Sequence, residues 1–423
     1  MLYLPYGKTS IPFDETGATV LHSRVDELVC CKAGGEIVRA AMERPIGSER
    51  LSVLASGKRN CVIIISDHTR PVPSKDILPA MLYELRQGNP AIEITLLVAT
   101  GCHRGTTKAE LNEKLGETIV ASERIVVHDA ADASANVGIG TLPSGAPLVI
   151  DRLAANADLL IAEGFIEPHF FAGYSGGRKS VLPGVCDRVT VLGNHCSRFI
   201  DSGFARAGIL EGNPIHTDMI AAARMAKLSY IVNVVINEQK QTVAVFAGDP
   251  VQAHLDGCAF LRPYCEVETR SADIVITTNG GAPLDQNVYQ CVKGLSTAES
   301  AANPGGVLIL LAECADGVGG EGFHRSLRDC ESPRALYDSI LATPQQQTIS
   351  DQWQSQILAR ILIKHTVIFV TRGELAETIR QMKMEYAPSL GEALKKARAL
   401  KGADASLTVI PNGVSMIVRS VNA

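Results

Sequence analysis

The 423-residue chain has little that is aromatic or basic: one tryptophan, 5% aromatic residues, and 40 lysines and arginines against 45 aspartates and glutamates, for a formal charge of −5. A nucleic-acid partner needs a basic field to draw in phosphate, so none is expected. Apolar runs such as LSYIVNVVI stop well short of the ~20 residues of a membrane span, which excludes that class. The first residues, MLYLPYGKTSIPF, have no basic flank followed by a long apolar region and do not read as a signal peptide. Eleven cysteines occur without a CxxC, their number is odd, and the adjacent pair Cys30 and Cys31 cannot easily staple a fold. Reduced thiols in a cytoplasm are the expectation, rather than a disulfide framework. Internal repeats, low-complexity tracts and long charge runs are also missing.

What is present is a folded, two-domain composition. Hydrophobic residues make up 46% and charged residues 20% of a chain too long for one ordinary core. CVIIIS (61–66) is short, β-branched and apolar throughout, as strands covered on both faces are. It ends in SDHTRPVPS, where two prolines stop the strand and Ser74 is placed to cap a helix over 75–86. IEITLLVAT, RIVVHD, PLVI and DLLIAEG repeat this grammar, and each delivers polar groups at a strand's carboxyl end, the usual ligand crevice of an open α/β sheet. A helix follows near 214–226, SYIVNVVIN and TVAVFAG read as a hairpin, and Asp249 as a helix cap. RPYCEVETRS interrupts the pattern before DIVITT, GVLILLA, HTVIFVT and SLTVIP alternate with helical segments. The expectation is an α/β protein with an N-terminal domain over 1–265 and a C-terminal domain over 266–423.

Chemistry concentrates between Glu163 and Arg198, with His169, His195, Lys179 and the turn Gly173, Gly176, Gly177. GYSGGRKS resembles a phosphate-binding P-loop, but Arg178 stands where that motif requires glycine; a nest of backbone N–H groups beside Arg178, Lys179 and Ser180 survives as a reading, as does a plain helix entry. GVGGEG (317–322) satisfies the dinucleotide pattern formally, although Glu313, Asp316 and Glu321 would face the pyrophosphate. His68, His103, His169 and His195 sit in strand-end loops, whereas His22, His128, His216, His254, His324 and His365 read as surface or hydrogen-bonded residues. Arg70, Arg104 and Lys293 are candidates for a carboxylate, with solvated ion pairs as the bland alternative. Cys102, Cys186 and Cys196 are candidate soft ligands or buried structural thiols.

Six separated features, DHTRPVP at Asp67, GCHR at Gly101, EPHFFAGYSGGRKSVLPG at Glu167, NHCSR at Asn194, YQCVKG at Tyr289 and the single Trp353, occur in the order and spacing of the nickel-dependent lactate racemase family. The chain resembles that family over essentially its whole length. The resemblance implies two α/β domains with the active site in the cleft between them. It further implies nickel in a pincer nucleotide, pyridinium-3-thioamide-5-thiocarboxylic acid mononucleotide, attached covalently to Lys179, with His195 as the protein's nickel ligand. His103 and His169 match the proton-transfer histidines. Asp67, Gly176, Gly177, Arg178 and Ser180 fall at cofactor-binding positions, and Arg70, Tyr289, Gln290, Lys293 and Trp353 at substrate-binding ones. Partners would be a small 2-hydroxy acid and the proteins that assemble the cofactor.

The α-hydrogen of a 2-hydroxy acid is too weakly acidic to remove easily beside an ionised carboxylate, whereas hydride transfer avoids the carbanion. The activity implied is therefore a 2-hydroxy acid racemase or epimerase working through a 2-keto acid, with lactate as first substrate and malate, longer or aromatic 2-hydroxy acids or aldonic acids as alternatives. A nicotinamide-dependent dehydrogenase using GVGGEG, or a non-catalytic sugar-acid-binding protein, are the rival classes.

Overall fold

In a computed structural model, which describes residues 1–30 and 32–421, the apolar run Asn60–Ser66 lies inside a six-stranded sheet. The order is Thr242–Gly248, Leu228–Ile236, Leu159–Phe165, Asn60–Ser66, Glu93–Ala99, Arg124–Val127, parallel except for the first strand. Successive residues of the central strand serve two cores, as a period of two requires. Cys61, Ile63 and Ile65 pack with Ile77, Leu78, Met81 and Leu85 of the helix Ser74–Gly88, while Val62 and Ile64 face a cluster containing Val181, Leu182, Ile215 and Met219. The chain first extends the sheet on one side, through Glu93–Ala99 and Arg124–Val127, then returns to extend it on the other. The strand Asn60–Ser66 is therefore a topological switch point, and the carboxyl ends around it open the crevice in which such folds bind ligands.

A second sheet is parallel throughout, in the order Glu385–Ala387, Thr366–Val370, Ala302–Leu311, Ala272–Thr278, Leu407–Ile410, Thr19–Val20. Its last strand comes from the chain's beginning. The hairpin Leu2–Tyr6 with Thr9–Phe13 also belongs there: Leu4 and Phe13 are buried with Ile274, Ile276, Ile309 and Val409. The division at residue 265 thus needs correcting for the first 20 residues, which cross to the second layer. A two-residue edge strand carries no periodicity that would say which sheet it joins.

The layers close on each other along Gly193–Asp201, where Gln356 Nε2 donates to Ser197 O at 2.8 Å, Gln345 Nε2 to Gly193 O at 2.9 Å and the Tyr337 hydroxyl to Asp201. Ser74 does not cap its helix; its hydroxyl donates to Glu163 Oε1 at 2.7 Å, and the helix starts after Pro73 without a side-chain cap. Asp249 accepts from the N–H groups of Val251 and Gln252 at 2.9 Å each, while the helix Gln252–Cys265 starts after Val251 without a side-chain cap of its own. Cys31, half of the adjacent cysteine pair, lies outside the described residues; the ten cysteines within them are unpaired. Among the described residues no helix is long and apolar enough to cross a membrane.

If the N-terminal hairpin is part of the second core, Leu4→Ala will cost about 2–5 kcal/mol in urea unfolding. Tyr3→Ala, on the hairpin's 64%-exposed face, will stay within about 0.5 kcal/mol of the parent.

Candidate active site

Three adjacent strands of the first sheet end at the crevice, and each supplies part of the site. After Ser66, the buried carboxylate of Asp67 accepts from the Thr69 N–H at 3.1 Å and the Thr69 hydroxyl at 2.6 Å through Oδ1, and from His103 Nδ1 at 2.7 Å through Oδ2. Burial alone would raise Asp67, but the hydrogen bond and charge of His103, with Arg70 and Thr69, bring it down to about 2. A carboxylate that accepts from Nδ1 keeps a proton on that nitrogen, so a neutral His103 ring carries its lone pair on Nε2. His103 itself follows Glu93–Ala99, in a turn where Gly101 has φ +53 and donates its N–H to Gly184 O at 2.9 Å.

The loop 67–73 is clamped from beneath. Glu163, in the middle of Leu159–Phe165, accepts through Oε1 from the Ser66 N–H and hydroxyl at 3.3 Å each and from Ser74 at 2.7 Å, so it holds both ends of the loop. Lys114 Nζ donates to the carbonyls of Arg70 at 3.0 Å and Val72 at 3.4 Å. Burial lowers Lys114 and raises Glu163, and each charge opposes the other's shift.

The third strand leads into Glu167 and His169. Pro168–His169 pairs with Gly173–Tyr174 in a minimal hairpin; at Gly173, φ is +80 and a Cβ would sit 2.4 Å from Ile209 O. His169 Nδ1 accepts from the Ala172 N–H at 3.2 Å, which leaves the neutral ring with its proton on Nε2. Burial, then the charges of Lys179, Lys293, Arg70 and His195, hold His169 well below the usual histidine range. The two candidate proton-transfer histidines therefore stand in opposite tautomers.

Lys179 lies in the single turn Gly177–Ser180, bracketed by Gly176, Gly177 and Ser180. Its Nζ is 5.8 Å from the Phe171 ring centroid, and burial followed by Arg178, Arg70 and Lys293 lowers it well below the usual lysine range. Gly177 is obligatory here, with φ +54 and a Cβ that would sit 2.8 Å from His254. The expected nest of N–H groups is partly used up, since Gly177 N donates to Asn233 Oδ1 at 2.7 Å. Arg178 also departs from expectation. Its buried guanidinium donates to His216 Nδ1 at 3.0 Å, Gly176 O at 3.1 Å and Ala172 O at 2.7 Å, and its Nη1 lies 3.0 Å from His254 Nε2. Arg178 holds the loop rather than facing a ligand.

His195 follows the helix Arg188–Asn194 and donates its N–H to Val191 O at 3.0 Å. Burial, then the charge of Lys179, lowers it to about 3, and its Nδ1 is buried without a hydrogen-bond partner. Its ring joins a row of edge contacts across the cleft: His169 to Phe171 at 4.5 Å, Phe171 to His195 at 5.1 Å, and His195 to Trp353 of the helix Gln352–Lys364 at 5.0 Å.

Tyr289, Gln290 and Lys293 occupy the first turns of the helix Val288–Ser300, capped by Asn287 Oδ1 accepting from Gln290 N at 2.9 Å. Asn279, at the end of Ala272–Thr278, ties this helix to its sheet: Nδ2 donates to Gln290 O at 3.1 Å and Oδ1 accepts from Gly294 N at 3.0 Å. Lys293 shares one cavity with Arg70, Glu167, His169 and Lys240, and burial followed by Arg70 lowers it to about 8. Glu167 is raised by burial against the pull of Arg70, Lys293, Lys179 and Lys240. Such a cleft can bind an organic anion, present two neutral imidazoles to it and offer an uncharged amine.

Two candidates fall outside. Arg104 is held by Glu110 at 3.0 Å through Nη1, with a second contact from Nη2, and His68 Nδ1 lies 3.1 Å from the Thr106 hydroxyl. Cys186 is a structural thiol donating to Val181 O at 3.2 Å. Sequence reasoning gave no role to Glu163, Glu167 or Lys114; a glutamate inside the apolar strand LLIAEGF was the available signal.

The chain is similar to known racemases over its length. The lactate racemase N-terminal domain matches residues 6–208 and the lactate racemase C-terminal domain residues 267–418. The lactate racemase of Thermoanaerobacterium thermosaccharolyticum is 51% identical over 419 residues, 98% of each chain, and that of Lactiplantibacillus plantarum 49% identical over 98% of this chain and 99% of its own. The apoprotein structure from T. thermosaccharolyticum superposes with a TM-score of 0.95 at 50% identity, covering 99% of both chains. A Thermotoga maritima protein at 17% identity, covering 91% of this chain and 97% of its own with a TM-score of 0.66, shares the fold.

His216, lowered to about 3 by burial and then Arg178, stays neutral in the native state while its unfolded counterpart takes up a proton below about pH 6.5. Stability carried by this residue is thus complete above that pH and declines as pH falls toward 3. His216→Gln will remove that slope: the stability gap between parent and variant in urea unfolding will shift against the parent by about 1 kcal/mol from pH 7.5 to 5, after allowance for partial solvent screening.

Proposed function

Because the chain belongs to the lactate racemase family, we propose that it interconverts the enantiomers of a short 2-hydroxy acid, lactate first, through the corresponding 2-keto acid. The observation that carries this reading is His169 in one cavity with Arg70 and Lys293, which suit a carboxylate, beside the loop whose Asp67 orients His103. Arginine offers the bidentate fork, and Lys293 comes from the other layer, so a bound acid joins the two.

The residues fit a nickel pincer nucleotide. His195 Nδ1 is a buried, unpartnered nitrogen on a ring kept neutral, which is what a metal requires of an imidazole. Among the described residues no three His, Cys, Asp or Glu side chains converge, so nickel at His195 would take its remaining donors from the nucleotide. Lys179 supports a covalent attachment because burial and neighbouring cations favour its nucleophilic, uncharged amine. Gly176 and Gly177 let the backbone turn beside it, and Arg178 and Ser180 would act by holding that turn. Asp67 would serve indirectly, by orienting His103. Proteins that build the cofactor are the partners this reading requires. When bound, the group supplies a reversible acceptor for the hydride on the α-carbon.

The chain's own residues do the rest. His103, with its Nε2 lone pair free, takes the hydroxyl proton as the C–O bond gains double-bond character. His169 donates a hydrogen bond from Nε2 to the same oxygen, and the proton taken up by His103 returns to that oxygen as the C–O bond becomes single again, so the same two residues serve both enantiomers. Arg70 and Lys293 keep the carboxylate anchored while the planar ketone presents its other face. Phe171 and Trp353, packed about His195, keep water from that ketone.

Protein produced with the cofactor-assembly machinery will interconvert D- and L-lactate in a chiral assay, and the peptide containing Lys179 will carry a mass adduct that Lys179→Ala lacks. His103→Ala and His169→Ala will each slow conversion about 10²–10⁴-fold from either enantiomer. Full activity in either variant removes that histidine from the mechanism. Malate, aromatic 2-hydroxy acids and aldonic acids in the same assay decide the substrate, and net ketone formation that depends on added NAD would instead favour a dehydrogenase.

A further inference from the structure

The helix Val288–Ser300 takes a side chain from outside itself into its first turns. A regular helix pairs the Gln290 carbonyl with the Gly294 N–H, four residues on. Here both groups bond to the carboxamide of Asn279, which is fully buried just past the carboxyl end of the strand Ala272–Thr278: Nδ2 donates to Gln290 O at 3.1 Å and Oδ1 accepts from Gly294 N at 3.0 Å. The other Nδ2 hydrogen goes to Leu284 O. Both amide hydrogens and the amide oxygen are thereby used. The orientation is fixed as well, because a flipped amide would set its oxygen against two carbonyls. Gly294 is what lets the strand end come so close, since a Cβ there would lie 2.9 Å from Asn279 Oδ1 and 3.1 Å from Thr278 O.

The strand end that presents Asn279 is itself anchored. Gly413 N donates to Thr278 O at 3.0 Å, and Thr297 Oγ1 donates to Gly413 O at 2.6 Å. In the loop that follows, the buried Asp285 accepts through Oδ2 from Gly7 N of the N-terminal hairpin at 2.7 Å and from Glu313 N at 3.2 Å. Asn279 thus works from a rigid base, and the turn it holds, from Gln290 to Gly294, is the one that bears Lys293. Leu284, Lys293, Thr297 and Gly413 all line the cavity that also holds Arg70 and His169. Packed helices can slide against their neighbours by about 1–2 Å, and a misplacement of about 1 Å can cost 10²-fold in rate. We propose that Asn279 is a positioning residue that sets Lys293 against the bound carboxylate by inserting its carboxamide between Gln290 O and Gly294 N. The consequence for turnover rests on the reading of Lys293 as a carboxylate anchor, whereas the placement of Lys293 can be read in protein without cofactor.

Two variants take the amide apart. Asn279→Ala removes all three bonds and leaves Gln290 O and Gly294 N to pair with each other. Asn279→Asp keeps the size and the acceptor for Gly294 but sets a second oxygen against the carbonyls of Gln290 and Leu284. In apoprotein whose circular dichroism matches the parent, acetic anhydride labelling read by mass spectrometry, normalised to the exposed Lys395, gives the pH midpoint of Lys293 acetylation. In both variants that midpoint will move upward, toward the ordinary lysine value, as Lys293 leaves its buried place beside Arg70. In cofactor-loaded enzyme both will raise KM for L-lactate about 10-fold and change kcat much less. Each KM effect will shrink below about 2-fold in a Lys293→Ala background, because a residue that acts through Lys293 has nothing to position once it is gone. A KM effect of equal size with and without Lys293 overturns the proposal, as does a Lys293 midpoint unmoved by either variant. A parent enzyme that shows no racemisation would refute the functional reading, and the Lys293 midpoint would then decide the placement alone.

Discussion

Four basic side chains, Arg70, Lys179, Lys240 and Lys293, act on one half-buried carboxylate, Glu167, and the character of the cleft follows from that excess of basic groups. Burial and mutual repulsion hold Lys179 well below the usual lysine range, bring Lys293 down to about 8 and keep His169 and His195 neutral. A negatively charged ligand is what the site lacks, and the same imbalance makes an amine nucleophilic and two imidazoles available as lone-pair donors. Maintaining such a cluster against its own repulsion requires a rigid frame. The frame consists of strand ends from both sheets, the Glu163 and Lys114 clamp under the loop 67–73, and Arg178, whose hydrogen bonds to carbonyls and an imidazole lock the turn carrying Lys179.

The division of labour between layers explains why the chemistry is distributed along the whole chain. The first sheet, at its switch point, supplies His103, His169 and Lys179; the second brings Lys293, Tyr289 and Trp353 to the opposite wall. Neither wall is complete alone. The row of rings from His169 through Phe171 and His195 to Trp353 crosses the boundary, and so does the influence of Asp351 on Cys102.

Much of this was legible in the sequence. The buried strands announce themselves through β-branched runs such as CVIIIS, and the hairpin 228–248 through two apolar runs joined by polar residues. Motif spacing singled out His103, His169, Lys179, His195 and Lys293, of which His169, Lys179, His195 and Lys293 lie close enough to act on one another. What escaped depended on long-range contacts that local pattern does not encode. Leu4 and Phe13 look like an ordinary hairpin until the second sheet buries them; Ser74 looks like a helix cap until Glu163 claims its hydroxyl. Arg178 reads as a cation for an anionic ligand, yet folding turns it inward to His216 and two carbonyls. GVGGEG fits a nucleotide pattern because left-handed backbone at Gly317 and Gly319, φ +71 and +83, and the close approach of Gly319 to Asn287 favour glycine there.

The central claim is that the α-hydrogen moves as hydride while the histidines handle only the hydroxyl proton. It is tested most directly by following L-lactate deuterated at the α-carbon through racemisation in ordinary water, with mass analysis of the separated enantiomers. The account predicts that the D-lactate formed early in the reaction retains deuterium at the α-carbon, since a hydride held in the closed cleft does not exchange with solvent. D-lactate carrying solvent hydrogen in place of the label would contradict it and assign the α-hydrogen to proton abstraction by His103 or His169.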